Sequence, residues 1–230
     1  MIILPQLKAN FSNFKSMSEI ILITGGRQPN INWFNEIQED RKIYCVDHGI
    51  DFCKDNNIVP DILIGDFDSA ANDSVQWAIN NDVIIKRHPV DKDFTDTQLA
   101  LTQIEVNNFA IITGAFGGRL DHLYSTLFTC ANLPIKNCLA DERETVLFLS
   151  SGKSLNIELI TKPLALSLLP ISEVCEGVTI NGVHWSLNSA GLQQSLPSAI
   201  SNRVESEIVN ISLKSGKLAI YLCFSEEIIS

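Results

Sequence analysis

The sequence predicts an α/β domain with a doubly wound parallel sheet, followed by an all-β domain of sandwich type. Three observations predict it. Short β-branched runs alternate with helical patterns through the first part of the chain. Those runs are apolar on both faces, as expected of parallel strands covered by helices on each side. From Thr145 onward, short strands alternate with turn residues and no amphipathic helix stands out. The expected division is 1–140 and 141–230, with the change of pattern falling around Asn137–Asp141.

In order, the expected strands of the first domain are Ile20–Thr24, Ile43–Val46, Ile62–Ile64, Val83–Ile85 and Phe109–Thr113. The helices expected between and after them are Ile31–Glu39, Ser74–Asn80, Thr95–Val106 and Leu120–Ala131. Thr95-x-x-Gln98 fits a capping box, and Leu99, Ala100 and Ile104 supply an apolar face behind it. The second domain is expected to hold strands at Thr145–Leu149, Leu155–Ile160, Leu164–Leu168, Val178–Ile180, Ile208–Leu213 and Lys217–Phe224. Ser151-Gly152-Lys153 and Lys214-Ser215-Gly216-Lys217 read as hairpin turns.

Bulk properties exclude several function classes. A hydrophobic content of 45% supports a buried core and argues against disorder. The formal net charge of −10 argues against a nucleic-acid or anionic-membrane surface, which needs a basic face. Six scattered cysteines without a C-x-x-C pair read as small core residues in a reducing compartment. Met1 to Phe14 lacks a leader pattern, and no run approaches the ~18 apolar residues of a membrane helix. The expectation is a soluble cytoplasmic protein.

Chemistry concentrates in two acidic clusters, Gly65-Asp66-Phe67-Asp68-Ser69 and Asp91-Lys92-Asp93-Phe94-Thr95-Asp96. Each follows an expected strand, so each falls where ligands bind in a parallel sheet, beyond the carboxyl ends. Carboxylates gathered there repel one another unless a cation lies between them. An all-oxygen donor set suits Mg²⁺ before Ca²⁺ or Zn²⁺, and Mg²⁺ leaves positions open for substrate phosphates. The plainer reading of Asp93 and Asp96 is helix capping, and that of Asp66 and Asp68 is a turn; two clusters on successive loops favour the metal. Gly114-Ala115-Phe116-Gly117-Gly118-Arg119-Leu120-Asp121-His122 follows a strand and opens a helix, so its backbone amides can face an anion. It is neither a Walker A loop nor the dinucleotide fingerprint. Arg119 can grip phosphate; His122 reads as an ordinary helix histidine before a catalytic base. Asp47, in Val46-Asp47-His48-Gly49, binds substrate or caps the next element, and Lys92 is a phosphate contact or a solvated neutralising charge. In the β domain, Trp185 is a packed sandwich residue or a stacking platform for a flat heterocycle, with Ser201 and Asn202 at its edge.

Taken together and in order, these segments resemble the thiamine pyrophosphokinase family. The resemblance runs from Asp47 to Asn202. The D-x-G loop is matched by Asp47-His48-Gly49, G-D-[FL]-D-S by residues 65–69, K-D-x-T-D by residues 92–96, and G-x-x-G-G-R-x-D-H by residues 114–122. Gly182, Val183, Trp185 and Leu187 match G-[LV]-x-W-x-L, and Ser201-Asn202 matches the late S-N. The resemblance implies transfer of diphosphate from ATP to thiamine, giving thiamine diphosphate and AMP, in a homodimer whose site is shared between subunits. It implies that Asp66, Asp68 and Asp96 handle Mg²⁺, with Asp93 beside them as a catalytic carboxylate. Gly117, Gly118 and Arg119 then lie along the phosphates, and Trp185 stacks on the thiamine pyrimidine. Asp47, Lys92, Thr95, Asp121, His122, Ser201 and Asn202 complete the substrate-binding set. Many members have a second glycine where this chain has His48, and residues up to about Met17 match nothing in the pattern and read as a local extension.

Two rival readings remain open from the residues. A metal-dependent glycosyltransferase also grips a nucleotide diphosphate through D-x-D, but does not require the K-D-x-T-D helix start or the late tryptophan. A nucleotide or thiamine sensor would keep the fold without the chemistry, and the intact acidic set argues against it.

Overall fold

A computed structural model describes residues 1–14, 17–91 and 93–225. The chain opens with a hairpin, β1 (Ile2–Leu4) and β2 (Leu7–Phe11). The α/β segment follows as β3 (Glu19–Ile23), α1 (Ile31–Gln38), β4 (Lys42–Val46), α2 (Gly49–Asp55), β5 (Ile62–Gly65), α3 (Asn72–Asn80), β6 (Ile84–Arg87), α4 (Asp96–Thr102), β7 (Phe109–Thr113) and α5 (Leu120–Asn132). The remainder is β8 (Lys136–Ala140), β9 (Glu144–Ser150), β10 (Lys153–Leu159), β11 (Ala165–Pro170), β12 (Val174–Asn181), β13 (Leu187–Gln193), β14 (Ile208–Leu213) and β15 (Lys217–Cys223). The chain separates into two compact units, one from Met17 to Asn137 and the other combining the N-terminal residues with those from Cys138 onward.

In the first unit the strand order is β7-β3-β4-β5-β6, and every pairing is parallel. Ile21, Leu22, Ile111 and Ile112 are fully buried, which is why these runs lack the alternation of a one-sided sheet. The chain steps outward from β3 to β6 and then returns to place β7 beside β3, so the order reverses between β3 and β7. A crevice at such a reversal is where doubly wound sheets take ligands. α1 is capped by the Asn30 side chain, which accepts from the Asn32 amide at 2.8 Å. Its Trp33, Phe34 and Ile37 face inward, and the Phe34 and Phe52 rings meet edge to face at 5.2 Å. Removing so large a fully buried side chain as Phe34 costs about 3–5 kcal/mol.

Two elements of this unit depart from the sequence reading. α2 was absent from it, because Gly49 opens a helix of only seven residues. α4 stops at Thr102, short of Val106, since the chain must turn through Asn108 to enter β7.

In the second unit the strands β8, β9, β15 and β11 pair antiparallel in that order, and β1, β2, β10, β14, β12 and β13 form a six-stranded antiparallel sheet. β9 packs against β10 and β14, so Leu147, Leu149, Ile157 and Ile211 close a sandwich core. Residues 1–14, expected at the head of the α/β domain, belong here instead: β2 pairs with β10 from Leu7↔Leu159 to Phe11↔Leu155. The physical reason is a period-two pattern, since Ile2, Leu4, Leu7, Ala9 and Phe11 are all buried. Gln6, at the hairpin turn, anchors it by donating to the Asp141 carbonyl at 2.8 Å and to Thr145 Oγ1 at 3.0 Å.

Candidate active site

All five parallel strands end on one side of their sheet, and the loops leaving them line a cleft of about 850 Å³. Three carboxylates converge there. Asp47 follows β4, Asp66 follows β5 and Asp96 opens α4; each is half-buried, and one oxygen from each lies within 4.8 Å of the other two. Like charges at that spacing repel strongly outside bulk water. An oxygen-only trio of this kind fits a hard divalent cation, and Mg²⁺ suits it because few protein ligands leave room for phosphate oxygens.

The backbone is bent to build this cluster. Asp47 takes a positive φ of 43°, and its Oδ1 accepts from the Phe67 amide at 3.3 Å. Phe67 is itself at φ 67°. Gly65, at φ 146°, is required between them, because a Cβ there would lie 1.7 Å from Asp47 Oδ1. The G-D-x-D sequence therefore makes room for a carboxylate from a different loop. Asp68 is exposed and lines the same cleft, and its amide donates to Asp66 Oδ1 at 3.2 Å. Asp93 is also exposed along the cleft. Thr95 forms the expected capping box: its hydroxyl accepts from the Gln98 amide at 3.2 Å, and Gln98 Oε1 accepts from the Thr95 amide at 2.9 Å. That box fixes the first turn of α4 and with it Asp96. Lys92 lies outside the described residues.

Opposite the carboxylates, two glycine loops are zipped together. The Gly26 amide donates to the Gly114 carbonyl and the Arg27 amide to the Phe116 carbonyl, both at 2.6 Å. A Cβ on Gly26 would meet those same oxygens at 2.5 and 2.6 Å, so only glycine permits the approach. Gly117 sits at φ 67°, and Gly118 lines the cleft beside it. The Thr24-Gly25-Gly26 loop was missed from sequence; a glycine pair directly after a strand was the available signal. Arg119 precedes the first residue of α5 and is held by Asp121 through two hydrogen bonds, 3.1 and 2.6 Å. The guanidinium holds the Asp121 carboxyl below its usual range, and the carboxylate raises Arg119 in turn. Both side chains are exposed, so an incoming phosphate can compete for the guanidinium. His122 lines the cleft one turn in, while His48 pairs with Asp51 at 2.9 Å.

In the other unit, Trp185 is 55% exposed. The Arg203 guanidinium lies 5.3 Å from its ring centre, and the His184 ring stands edge-on at 4.7 Å. Asn202 holds the tryptophan backbone at both ends: its Oδ1 accepts from the Trp185 amide at 3.1 Å and its Nδ2 donates to the Trp185 carbonyl at 2.9 Å. Asn202 is thus a clamp for the aromatic residue. Ser201 is set by a φ of 55° and by its amide donating to Ser167 Oγ at 3.0 Å. Among the described residues, no helix is long and apolar enough to cross a membrane.

Residues 34–140 match the family model for the thiamin pyrophosphokinase catalytic domain, and residues 155–218 match that for the thiamin pyrophosphokinase vitamin B1 binding domain. Thiamine pyrophosphokinase 1 of Oryza sativa subsp. japonica is 26% identical over 167 residues, covering 68% of this chain and 63% of the relative. The thiamine pyrophosphokinase of Bacillus subtilis strain 168 is 26% identical over 194 residues, covering 82% of this chain and 90% of the relative. The chain spans less than two thirds of the length of the plant relatives it matches. Among solved structures, the Bacillus subtilis thiamine pyrophosphokinase superposes with a TM-score of 0.79 at 24% identity, covering 91% of this chain and all of that one. Yeast thiamin pyrophosphokinase gives 0.78 at 15% identity, covering 93% and 88%. These likenesses establish the two-part fold.

Proposed function

This chain belongs to the thiamine pyrophosphokinase family, and from that premise we propose that it transfers a diphosphate group from ATP to the hydroxyl of thiamine, releasing AMP. The observation that carries the reading is the convergence of Asp47, Asp66 and Asp96 opposite two glycine loops in one cleft. A Mg²⁺ ion held by these three carboxylates would offset the phosphate charge that a chain of net charge −10 otherwise repels. Asp68 and Asp93 flank that trio and are the remaining carboxylates available to orient the thiamine hydroxyl or accept its proton. Gly117 and Gly118 let the phosphates approach the backbone, and Arg119 exchanges Asp121 for a phosphate oxygen. Positioning and electrostatics carry most of the catalysis in phosphoryl-type transfer, which suits a site built from loops on a rigid sheet.

Trp185, held by Asn202, supplies the stacking face for the thiamine pyrimidine. We place the protein in the cytoplasm, in keeping with six free, buried cysteines. We also propose a homodimer with shared sites. α5 leaves an apolar stripe open, with Leu120 79% and Tyr124 60% exposed beside Arg119. In the other unit Trp185, Leu196 and Ile200 are likewise exposed. Two copies satisfy both if the stripe of one meets the tryptophan surface of its partner.

The test is direct. Incubated with ATP, thiamine and Mg²⁺, the protein yields AMP and thiamine diphosphate in equal amounts; chelation stops both and Mg²⁺ restores both. A folded, metal-loaded protein that makes neither product overturns the proposal.

A further inference from the structure

Three motifs line the cleft and each carries a phenylalanine, but the three rings are placed differently. Phe67, in the loop after β5, is 7% exposed, and the Arg87 guanidinium lies over its ring at 5.0 Å. Phe116, in the glycine loop before α5, is 3% exposed, with Arg27 over its ring at 5.7 Å. Phe94, in the loop before α4, is 60% exposed and lines the cleft together with the exposed Val90. Among the described residues no aromatic ring and no cation pairs with it. Local structure offers an aromatic residue one ordinary task at this position. Thr95 is the N-cap of α4, so Phe94 stands where a hydrophobic staple would press it against Leu99. A ring given over to that task is largely covered by its helix, whereas the greater part of Phe94 stays uncovered.

We propose that Phe94 is a specificity residue for the cationic ring of thiamine, its open face taking the thiazolium in a cation–π contact. The assignment rests on the diphosphate-transfer reading and names the ring that meets the K-D-x-T-D loop. Reach is the first argument. The hydroxyl of thiamine sits on a two-carbon arm, so the ring carbon bearing that arm lies within about 4 Å of the attacking oxygen. That oxygen approaches to about 3–3.5 Å from the β-phosphorus before attack. The same reading holds the phosphorus at the Asp47, Asp66 and Asp96 trio. Phe94 is two residues from Asp96, so their Cα atoms are at most about 7.6 Å apart. The thiazolium is therefore the ring brought within reach of Phe94; adenine is set farther off by the α-phosphate and ribose, and the pyrimidine by its methylene bridge. Charge is the second argument. The thiazolium is a permanent cation on a flat ring, which the negative face of a phenyl ring attracts, while adenine is neutral. Asp93, the neighbour of Phe94 and exposed along the same cleft, adds attraction of the same sign. The third argument is the chain's own usage. Phe67 and Phe116 each hold an arginine over the ring, and Phe94 leaves that place to a ligand.

The test reads thiamine affinity by calorimetry on the full chain, with Mg²⁺ and an ATP analogue whose α,β bridge is a methylene, so that no transfer occurs. Phe94→Leu keeps an apolar side chain and removes the π face; Phe94→Tyr keeps the face. The dissociation constant for thiamine is expected to rise about 5- to 30-fold in Phe94→Leu, the scale of a partly desolvated cation–π contact, and to stay within twofold in Phe94→Tyr. Affinity for the ATP analogue and the urea midpoint are expected to hold in both. Two competitors isolate the charge: a neutral hydroxyethyl-methylthiazole and its N-methylated, permanently cationic derivative. The unaltered chain is expected to favour the cation, and Phe94→Leu to lose most of that preference. An unchanged thiamine constant in Phe94→Leu, an undiminished preference for the cation, or an equal loss of affinity for the ATP analogue overturns the assignment, the last in favour of a ring that stacks on adenine. A chain that makes AMP and thiamine diphosphate yet fails these tests keeps the activity without the assignment. One that binds thiamine through Phe94 and makes neither product does the reverse, and one that binds no thiamine overturns both.

Discussion

Gly65 shows how one missing Cβ shapes the site. Its replacement by alanine would drive a methyl group into Asp47 Oδ1 and force a side chain onto φ 146°. We expect Gly65→Ala to cost about 1–3 kcal/mol in urea unfolding and to raise the Mg²⁺ concentration needed for half-maximal turnover. Asp96→Asn keeps the shape of the side chain and removes a charge from the trio. Turnover should fall about 10²-fold, the scale of deleting a single group from a preorganised electrostatic site, with the unfolding midpoint nearly unchanged. An Asp96→Asn protein with normal turnover removes Asp96 from the metal set. At Trp185 the informative change is its clamp: Asn202→Ala frees the backbone on both sides of the ring. KM for thiamine should rise while KM for ATP stays put, and an equal change in both would make the clamp purely structural. The cysteines give a residue-scale contrast. Burial pushes the Cys45 and Cys130 thiols upward, and all six are buried. An aromatic disulfide reagent should therefore label almost none in the native protein and all six after denaturation.

At the scale of elements, the site depends on where helices begin. The capping box on α4 sets Asp96, so Thr95→Ala should cost about 1 kcal/mol of stability and lower turnover beyond what that loss explains. Thr95→Ser retains the hydroxyl and should rescue both. This start was legible because the box is local: Thr95 and Gln98 are three residues apart, and the pattern needs no tertiary partner. The helix end was not legible, because Ile104 is buried although the helix has already stopped at Thr102. An apolar residue just past a helix terminus reads as one more turn of it. α2 was invisible for the opposite reason. Its Gly49 is poor helix material, yet a Cβ there would meet the Ile23 carbonyl at 2.4 Å, so packing against β3 selects glycine over propensity.

At the scale of the whole molecule, the N-terminal hairpin is the chief surprise. It lies more than 130 residues in sequence from Asp141 and Thr145, which Gln6 bonds, yet it completes a sheet. Deleting residues 1–14 would bare the β10 edge and the core beneath Leu4 and Leu7. We expect that protein to aggregate, or to unfold at markedly lower urea, while retaining the strand and helix content of the Met17–Asn137 unit by circular dichroism. Native-like stability of the truncated chain would show the hairpin to be an accessory. The alternation of Ile2, Leu4, Leu7, Ala9 and Phe11 was present in the letters, but a period of two announces a strand without naming its partner.

Apolar periodicity and glycine placement were enough to announce an α/β unit and a β unit, and the spacing of the acidic motifs was enough to suggest a phosphate site beyond the strand ends. Each of these follows from interactions among residues a few positions apart, or from burial that every parallel strand shares. Folding in three dimensions chose which carboxylates meet. Asp47 joins Asp66 and Asp96 across three loops, while Asp68, only two positions from Asp66, faces the cleft from outside the trio. Such meetings hang on strand order and on the single angle at Gly65, quantities summed over distant contacts that no short window of residues contains.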